Sequence, residues 1–160
     1  MEIRHATMAD LAAVTAVEAE CFPAAEAATE ESFRARLSVY PDHFWLLFDD
    51  GKLVGFVNGM VTNEADLCDE MYEDAAMHDE KGDWQMIFGV NTIPDYRCRG
   101  LAETVLRRVI ADAKEQGRRG LVLTCKDKRV HYYAKLGFVS EGVSQSVHGN
   151  VVWYQMRLTF

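Results

Sequence analysis

One stretch limits what this chain can fold into more than any other. An apolar run from Trp84 to Val90 leads into an arginine-rich loop and then into a strongly amphipathic segment, Gly100 to Gln116. Leu101, Val105, Val109 and Ala113 recur every four residues there, with Ala102, Leu106 and Ile110 widening the stripe. That is the period of one helix face. Glu103, Arg107, Arg108, Asp112, Lys114 and Glu115 fill the opposite face, and Gly117 suits a left-handed stop. Leu121 to Cys125 then reads as a short apolar strand. Strand, helix and strand in this order require a crossover connection, so part of the sheet is parallel and the fold is mixed α/β.

The remaining segments fit around that unit. Ile3 and His5 begin an extended stretch, Thr7 caps a helix striped by Leu11, Val14 and Val17, and Cys21-Phe22-Pro23 ends it. Thr29 with Glu30 and Glu31 starts a second helix running to Ser38. His43 to Phe48 and Leu53 to Val61 form a hairpin about the turn Asp49-Asp50-Gly51-Lys52. Asn63 to Asp83 is an acidic excursion, too long for a plain connection, with room for one helical turn between Met71 and Met77. Val130 to Leu136 is a short helix, Phe138 begins a strand, and Val151 to Leu158 is another. The expectation is one domain over residues 1–160, with about four helices around a mostly antiparallel sheet.

Composition narrows the function classes. The net charge of −8 is unevenly spread: residues 1–96 hold 5 Lys/Arg against 20 Asp/Glu, and residues 97–160 hold 12 against 5. The acidic balance argues against a nucleic-acid binder, which needs a basic footprint. No apolar run reaches the length of a membrane span, and the N-terminus lacks the apolar core of a signal peptide. Cys21, Cys68, Cys98 and Cys125 show neither paired nor zinc-ligand spacing. These readings lead to an expected cytoplasmic protein with reduced thiols, no metal, and no nucleic-acid or membrane partner.

The loop Arg97-Cys98-Arg99-Gly100-Leu101-Ala102 carries the most chemistry. It places unpaired amide N–H groups and the positive end of a helix dipole where an anion can sit. Gly100 lets the main chain approach closely, small Ala102 keeps the approach clear, and Arg97 and Arg99 add full charges. A solvated arginine loop would carry the same residues. The pattern is neither a P-loop nor a dinucleotide fingerprint, so no nucleoside triphosphate or dinucleotide follows from it.

Taken with three further segments, the chain resembles the GNAT superfamily of acetyl-CoA-dependent N-acetyltransferases over nearly its whole length. Phe88-Gly89-Val90-Asn91-Thr92-Ile93-Pro94-Asp95-Tyr96 is similar to that family's central strand and the turn before its pyrophosphate loop. His131-Tyr132-Tyr133-Ala134-Lys135-Leu136-Gly137-Phe138 is similar to its late helix and following strand. Glu20-Cys21-Phe22-Pro23, Leu53-Val54-Gly55-Phe56 and the acidic excursion look closest to the arylalkylamine and polyamine branches.

The resemblance implies acetyl-CoA as co-substrate, in a cleft where the fourth and fifth strands, Trp84–Val90 and Leu121–Cys125, run parallel and splay. Main-chain groups of Val90, Asn91 and Thr92 would hold the pantetheine arm. Those from Cys98 through Glu103, flanked by Arg97 and Arg99, would hold the pyrophosphate. Tyr133 matches the tyrosine that serves the departing thiolate, whereas Tyr132 is expected to point elsewhere. Phe22, Glu70 and Glu73 would meet a small amine acceptor.

One departure stands out. The two histidines of the arylalkylamine branch are replaced by Met86 and Phe88, so its proton relay is missing. A primary ammonium is neutral in only about one part in a thousand at pH 7, a deficit of roughly 4 kcal/mol that a base must offset. His78 and Glu80 in the excursion are the candidates for that base. Cys98 and Cys125 have no local histidine partner and do not read as nucleophiles. A peptide or protein N-terminal acetyltransferase and a non-catalytic acyl-CoA-binding module stay open beside the small-amine enzyme, as does a homodimer.

Overall fold

The run expected as a single strand over Trp84–Val90 is broken at Phe88, and the break organises the molecule. The computed structural model describes all residues 1–160. In chain order the elements are β1 (Glu2–His5), α1 (Leu11–Cys21), α2 (Glu30–Val39), β2 (Phe44–Asp49), β3 (Lys52–Asn58), β4 (Val61–Thr62), α3 (Glu70–Glu73), β5 (Trp84–Ile87), β6 (Gly89–Thr92), α4 (Leu101–Glu115), β7 (Gly120–Cys125), α5 (Val130–Ala134), β8 (Val139–Val143) and β9 (Tyr154–Thr159). Beside the four longer helices expected, α3 is the single turn expected in the acidic excursion, and it starts at Glu70 rather than Met71. The last strand begins at Tyr154, because Val151 to Trp153 belong to the loop that precedes it.

Two sheets share the broken strand. One has the order β1-β2-β3-β6 and the other β4-β5-β7-β9-β8. Only β5 and β7 run parallel, pairing Trp84 with Gly120 through Ile87 with Leu123. Beyond that pair the chains part: β6 turns to β3, aligning Gly89 with Asn58, while β7 continues to Cys125 with β9 alone. Across the break, Met86 N–H donates to Met60 O at 2.8 Å and Phe88 N–H to Asn58 O at 2.7 Å. Those bonds hold the two sheets to one seam while the cleft opens on the other side.

The core explains why the predicted stripes form helices. Val105, Leu106, Val109 and Ala113 are the buried face of α4, as their spacing requires. Phe33 and Leu37 from α2 pack on Phe44 and Phe56, with edge-to-face ring pairs at about 6 Å between Phe33 and each of the two. Fully burying each such side chain contributes roughly 1.5–3 kcal/mol. The buried Trp45 indole donates to Asp112 Oδ2 at 2.9 Å, which pins α4 against β2.

The acidic excursion is not an open arm. Asp66 meets Arg157 at 2.7 Å, and Asp69 accepts from Ser146 Oγ and from Val147 N–H. Part of the charge asymmetry is therefore answered internally, with Asp66, Glu26 and Glu80 of the acidic first half paired to Arg157, Lys126 and Arg118 of the basic second half. The Asp69 contacts fasten the β8–β9 loop over one end of the cleft. There His148 Nε2 donates to Glu26 O at 2.8 Å and Trp153 Nε1 to His148 O at 2.8 Å.

Candidate active site

The splay between β6 and the end of β7 opens a cleft of about 880 Å³. That volume suits a cofactor-sized ligand. Its two ends differ in chemistry.

The basic end is built on the N-terminus of α4. Gly100 sits in the left-handed region at φ +74° with open space beside it, and no side chain caps the helix. The first N–H groups of α4 therefore have no intrahelical or capping partner. Arg97, Lys128, Arg129 and Lys135 line the same end, as do Cys98, Gly100, Leu101, Ala102 and Glu103. Uncapped amides beside several cations fit a diphosphate. Arg99 is the exception among the expected contacts. Its guanidinium lies 4.9 Å over the Tyr96 ring and donates to Asp95 O, so it shapes the loop rather than lining the cleft.

Along the middle, Val90 and Thr92 line the cleft while Asn91 alternates inward and is buried, as a strand period of two demands. Tyr133 lines the cleft at 8% exposure. Burial pushes its phenol well above the ordinary tyrosine range, with Cys125 and Tyr132 adding to the shift. A phenol of this kind stays protonated and can donate to a thiolate. Tyr132, expected to point away, lines the cleft as well, in a T-shaped pair with Tyr133 at 5.1 Å. The short helix α5 puts both rings on the cleft side, since the cleft wraps its end. Burial raises Cys125 to about 11, which leaves it an unreactive thiol at neutral pH.

The closed end brings together residues from six segments. Phe22, Tyr72, Phe88 and Trp153 give it an aromatic lining, and Glu18, Arg36, Thr124 and His148 supply polar groups. Arg36 is 4% exposed, donating to Asn58 Oδ1 at 2.9 Å and to Tyr72 O at 2.8 Å. Its Nε has no partner. Tyr72 and Thr124 share a hydroxyl contact at 3.3 Å, and burial pushes the Tyr72 phenol up to about 12. Glu18, on α1, is 6% exposed. Its Oε2 accepts from Ala28 N–H at 2.9 Å, while Oε1 has no partner. Burial raises the Glu18 carboxyl above its ordinary value, against the opposing pull of the Ala28 N–H, Arg36, Asn91 and His148.

The bases expected in the excursion are elsewhere. His78 and Glu80 do not line this cleft; they form a separate cluster with His43. His43 Nε2 contacts Glu80 at 2.9 Å, His78 Nε2 contacts it at 3.0 Å, and Arg118 reaches it at 3.1 Å. His78 Nδ1 accepts the Val61 N–H at 3.0 Å, so Nε2 carries the ring proton and has no lone pair for a metal or a substrate. Burial lowers the His78 pKa, and burial opposes ionisation of Glu80 but is outweighed by His43 and His78. The cluster is a closed network and supplies no proton acceptor to the cleft. Of the two carboxylates expected to meet the acceptor, Glu73 lines the cleft and Glu70 does not; Glu70 instead accepts a weak contact from Cys68.

The acetyltransferase (GNAT) family model matches residues 11–138. The chain belongs to this family. Over 52 residues, 32% of its length, it is 42% identical to a probable glucosamine 6-phosphate N-acetyltransferase 2 of Oryza sativa subsp. japonica. That stretch spans 31% of the relative's own length. In shape it is similar to the GphF GNAT-like decarboxylase in complex with isobutyryl-CoA, with a TM-score of 0.85, 22% identity and 99% of each chain covered. It is also similar to a ribosomal-protein-alanine N-acetyltransferase of Brucella melitensis, with a TM-score of 0.73, 16% identity and all of both chains covered. The family rests on that model and the fold on the two structures; none of them selects the arylalkylamine or polyamine branch.

Proposed function

We propose that the protein transfers the acetyl group of acetyl-CoA to the primary amine of a small molecule with an aromatic or apolar body, in a ternary complex. Bound at the cleft, acetyl-CoA supplies an activated acyl carbon. The α4 N-terminus with Arg97, Lys128 and Arg129 binds the diphosphate, and the cleft-facing main chain of Val90 and Thr92 orients the arm. The Tyr133 hydroxyl donates to the sulfur as it leaves.

The observation that carries the acceptor class is the closed end. Phe22, Tyr72, Phe88 and Trp153 surround it, and the Arg36 cation faces the Glu18 carboxylate there. Arg36 offsets Glu18 and Lys126 pairs with Glu26, which leaves Glu73 for one acceptor ammonium; an arylalkylamine brings that single charge and a flat ring, whereas a polyamine brings a second cation. Thiol release measured over arylalkylamines, polyamines, amino acids and aminoglycosides tests this. Arylalkylamines should be the best substrates; a preference for polyamines, or no thiol release with any amine, would overturn the reading.

A second reading has its own observation. The unpartnered Arg36 Nε and the Thr124 hydroxyl are groups that can hold a carboxylate. An acyl-CoA with a carboxylate on its acyl group would fit them, and the decarboxylase described above is similar in shape to this chain. Carbon dioxide release from malonyl-CoA, without thiol release, separates that activity from amine acetylation.

A further inference from the structure

Gly89 stands where β6 leaves β7, and its missing side chain leaves a polar notch. A Cβ at that position would lie 3.4 Å from Asn91 Nδ2 and 3.7 Å from both Asn58 Nδ2 and Glu18 Oε1. Two amide donors and one carboxylate acceptor therefore converge on a single point of the cleft wall. Asn58 and Glu18 are tied down by other bonds, since Asn58 Oδ1 accepts from Arg36 and Glu18 Oε2 accepts from Ala28 N–H, while Asn91 Nδ2 itself donates to Phe56 O at 3.5 Å. Glu18 Oε1 is the carboxylate atom left over, buried and without a partner. Such an atom costs about 1–3 kcal/mol to bury unmatched, more when charged, so it marks a place where a ligand completes the bonding.

We propose that Glu18 takes the proton from the attacking amine, through a water held in this notch by the side-chain amide of Asn58, beside that of Asn91. The inference rests on the acetyl-transfer reading above and adds the group that reading lacks. A water here can accept from the Asn58 amide and donate to Glu18 Oε1, which leaves its second lone pair for the ammonium N–H. The nitrogen loses two protons in the reaction. One passes through the water to Glu18 and then to solvent. The C–N bond forms, the C–S bond breaks, and the second proton replaces the one that Tyr133 hands to the sulfur. The groups facing Glu18 are Arg36 from α2, Asn91 from β6, His148 from the β8–β9 loop and Cys21 from its own helix. Its carboxyl sits above the ordinary carboxylate range, chiefly through burial, which moves it toward the pH at which a base must work.

Two variants test the proposal. Glu18→Gln keeps the shape and removes the base. Gly89→Ala fills the notch with a methyl at ordinary contact distances and leaves Glu18 in place. Both should bind acetyl-CoA within about twofold of wild type by calorimetry, which shows that the cleft is folded. With an accepted amine, both should lose roughly 10²-fold or more in kcat/KM at pH 7. The shape of the pH profile is the deciding readout. Wild type should show a plateau between the Glu18 and amine pKa values. Glu18→Gln should rise tenfold per pH unit up to the amine pKa, since free amine from solution becomes the only nucleophile. A wild-type-shaped profile in Glu18→Gln, or unchanged kcat/KM in Gly89→Ala, would overturn the assignment. A wild-type enzyme that turns over no amine would sink the acetyl-transfer reading instead.

Discussion

Replacing Gly100 by alanine separates what this glycine does for the fold from what it does for a ligand. At φ +74° an alanine enters the left-handed region, which costs about 1–2 kcal/mol. Nothing lies within 4 Å of the new methyl, so no clash adds to that cost. In a chain of this size, 1 kcal/mol corresponds to a melting shift of about 2–4 °C. Gly117 offers a matched control at the other end of α4. It has φ +81°, equally open space, and no part in the cleft wall. Gly117→Ala should therefore lose a similar amount of stability. The two variants should differ in binding. The methyl at position 100 stands on the surface where a diphosphate must approach the main chain, and a hydrogen bond to a charged acceptor is worth about 1.5–3 kcal/mol. Losing one such bond weakens coenzyme A binding roughly 10- to 150-fold in Gly100→Ala, with no change in Gly117→Ala. Calorimetric titration with coenzyme A and urea unfolding give both numbers. Equal losses of stability with equal, unchanged affinities would refute a main-chain diphosphate site at α4.

Two further outcomes follow from the site and the histidine cluster. Tyr133→Phe removes only the hydroxyl, so kcat should fall at least tenfold while acetyl-CoA affinity stays within about twofold; unchanged kcat would remove Tyr133 from proton transfer. His78 is held neutral in the fold, with its pKa below the ordinary histidine value of about 6.5, so the unfolded chain binds the extra proton first. Stability should then fall as pH drops from about 7 toward 5, and His78→Gln should flatten that slope in urea midpoints; an equally steep slope in the variant would show that another group is responsible.

The parts of this protein that were legible in the sequence are those whose signal is local. The four-residue stripe of α4 needed only its own residues to be recognised, and so did Gly100 at its start. The place of Tyr133 in the cleft wall was legible through the segment around it. The proposed proton acceptor was not, because its surroundings depend on distant partners. His78 and Glu80 look free along the chain, yet His43, 37 residues before Glu80, and Arg118, 38 after it, close around them. Glu18 looks like one more acidic residue on α1. Only the packing of that helix against β3 and β6 buries it and turns Oε1 toward Gly89. The break at Phe88 was hidden for a similar reason: an apolar run cannot show that its two halves pair with different strands.

That break has a consequence for how the ligand-free chain behaves. β6 is paired on one side only, with β3, so it is an edge strand lying inside the molecule rather than at its rim. Proteins usually shield an edge with charge, a bulge or a covering segment. Here the covering piece is exchangeable, because whatever occupies the cleft shields the open side of β6. The cavity that receives a ligand is thus also the least finished part of the sheet. Occupancy and completeness of the fold become one equilibrium, with stability rising as the logarithm of ligand concentration above its Kd.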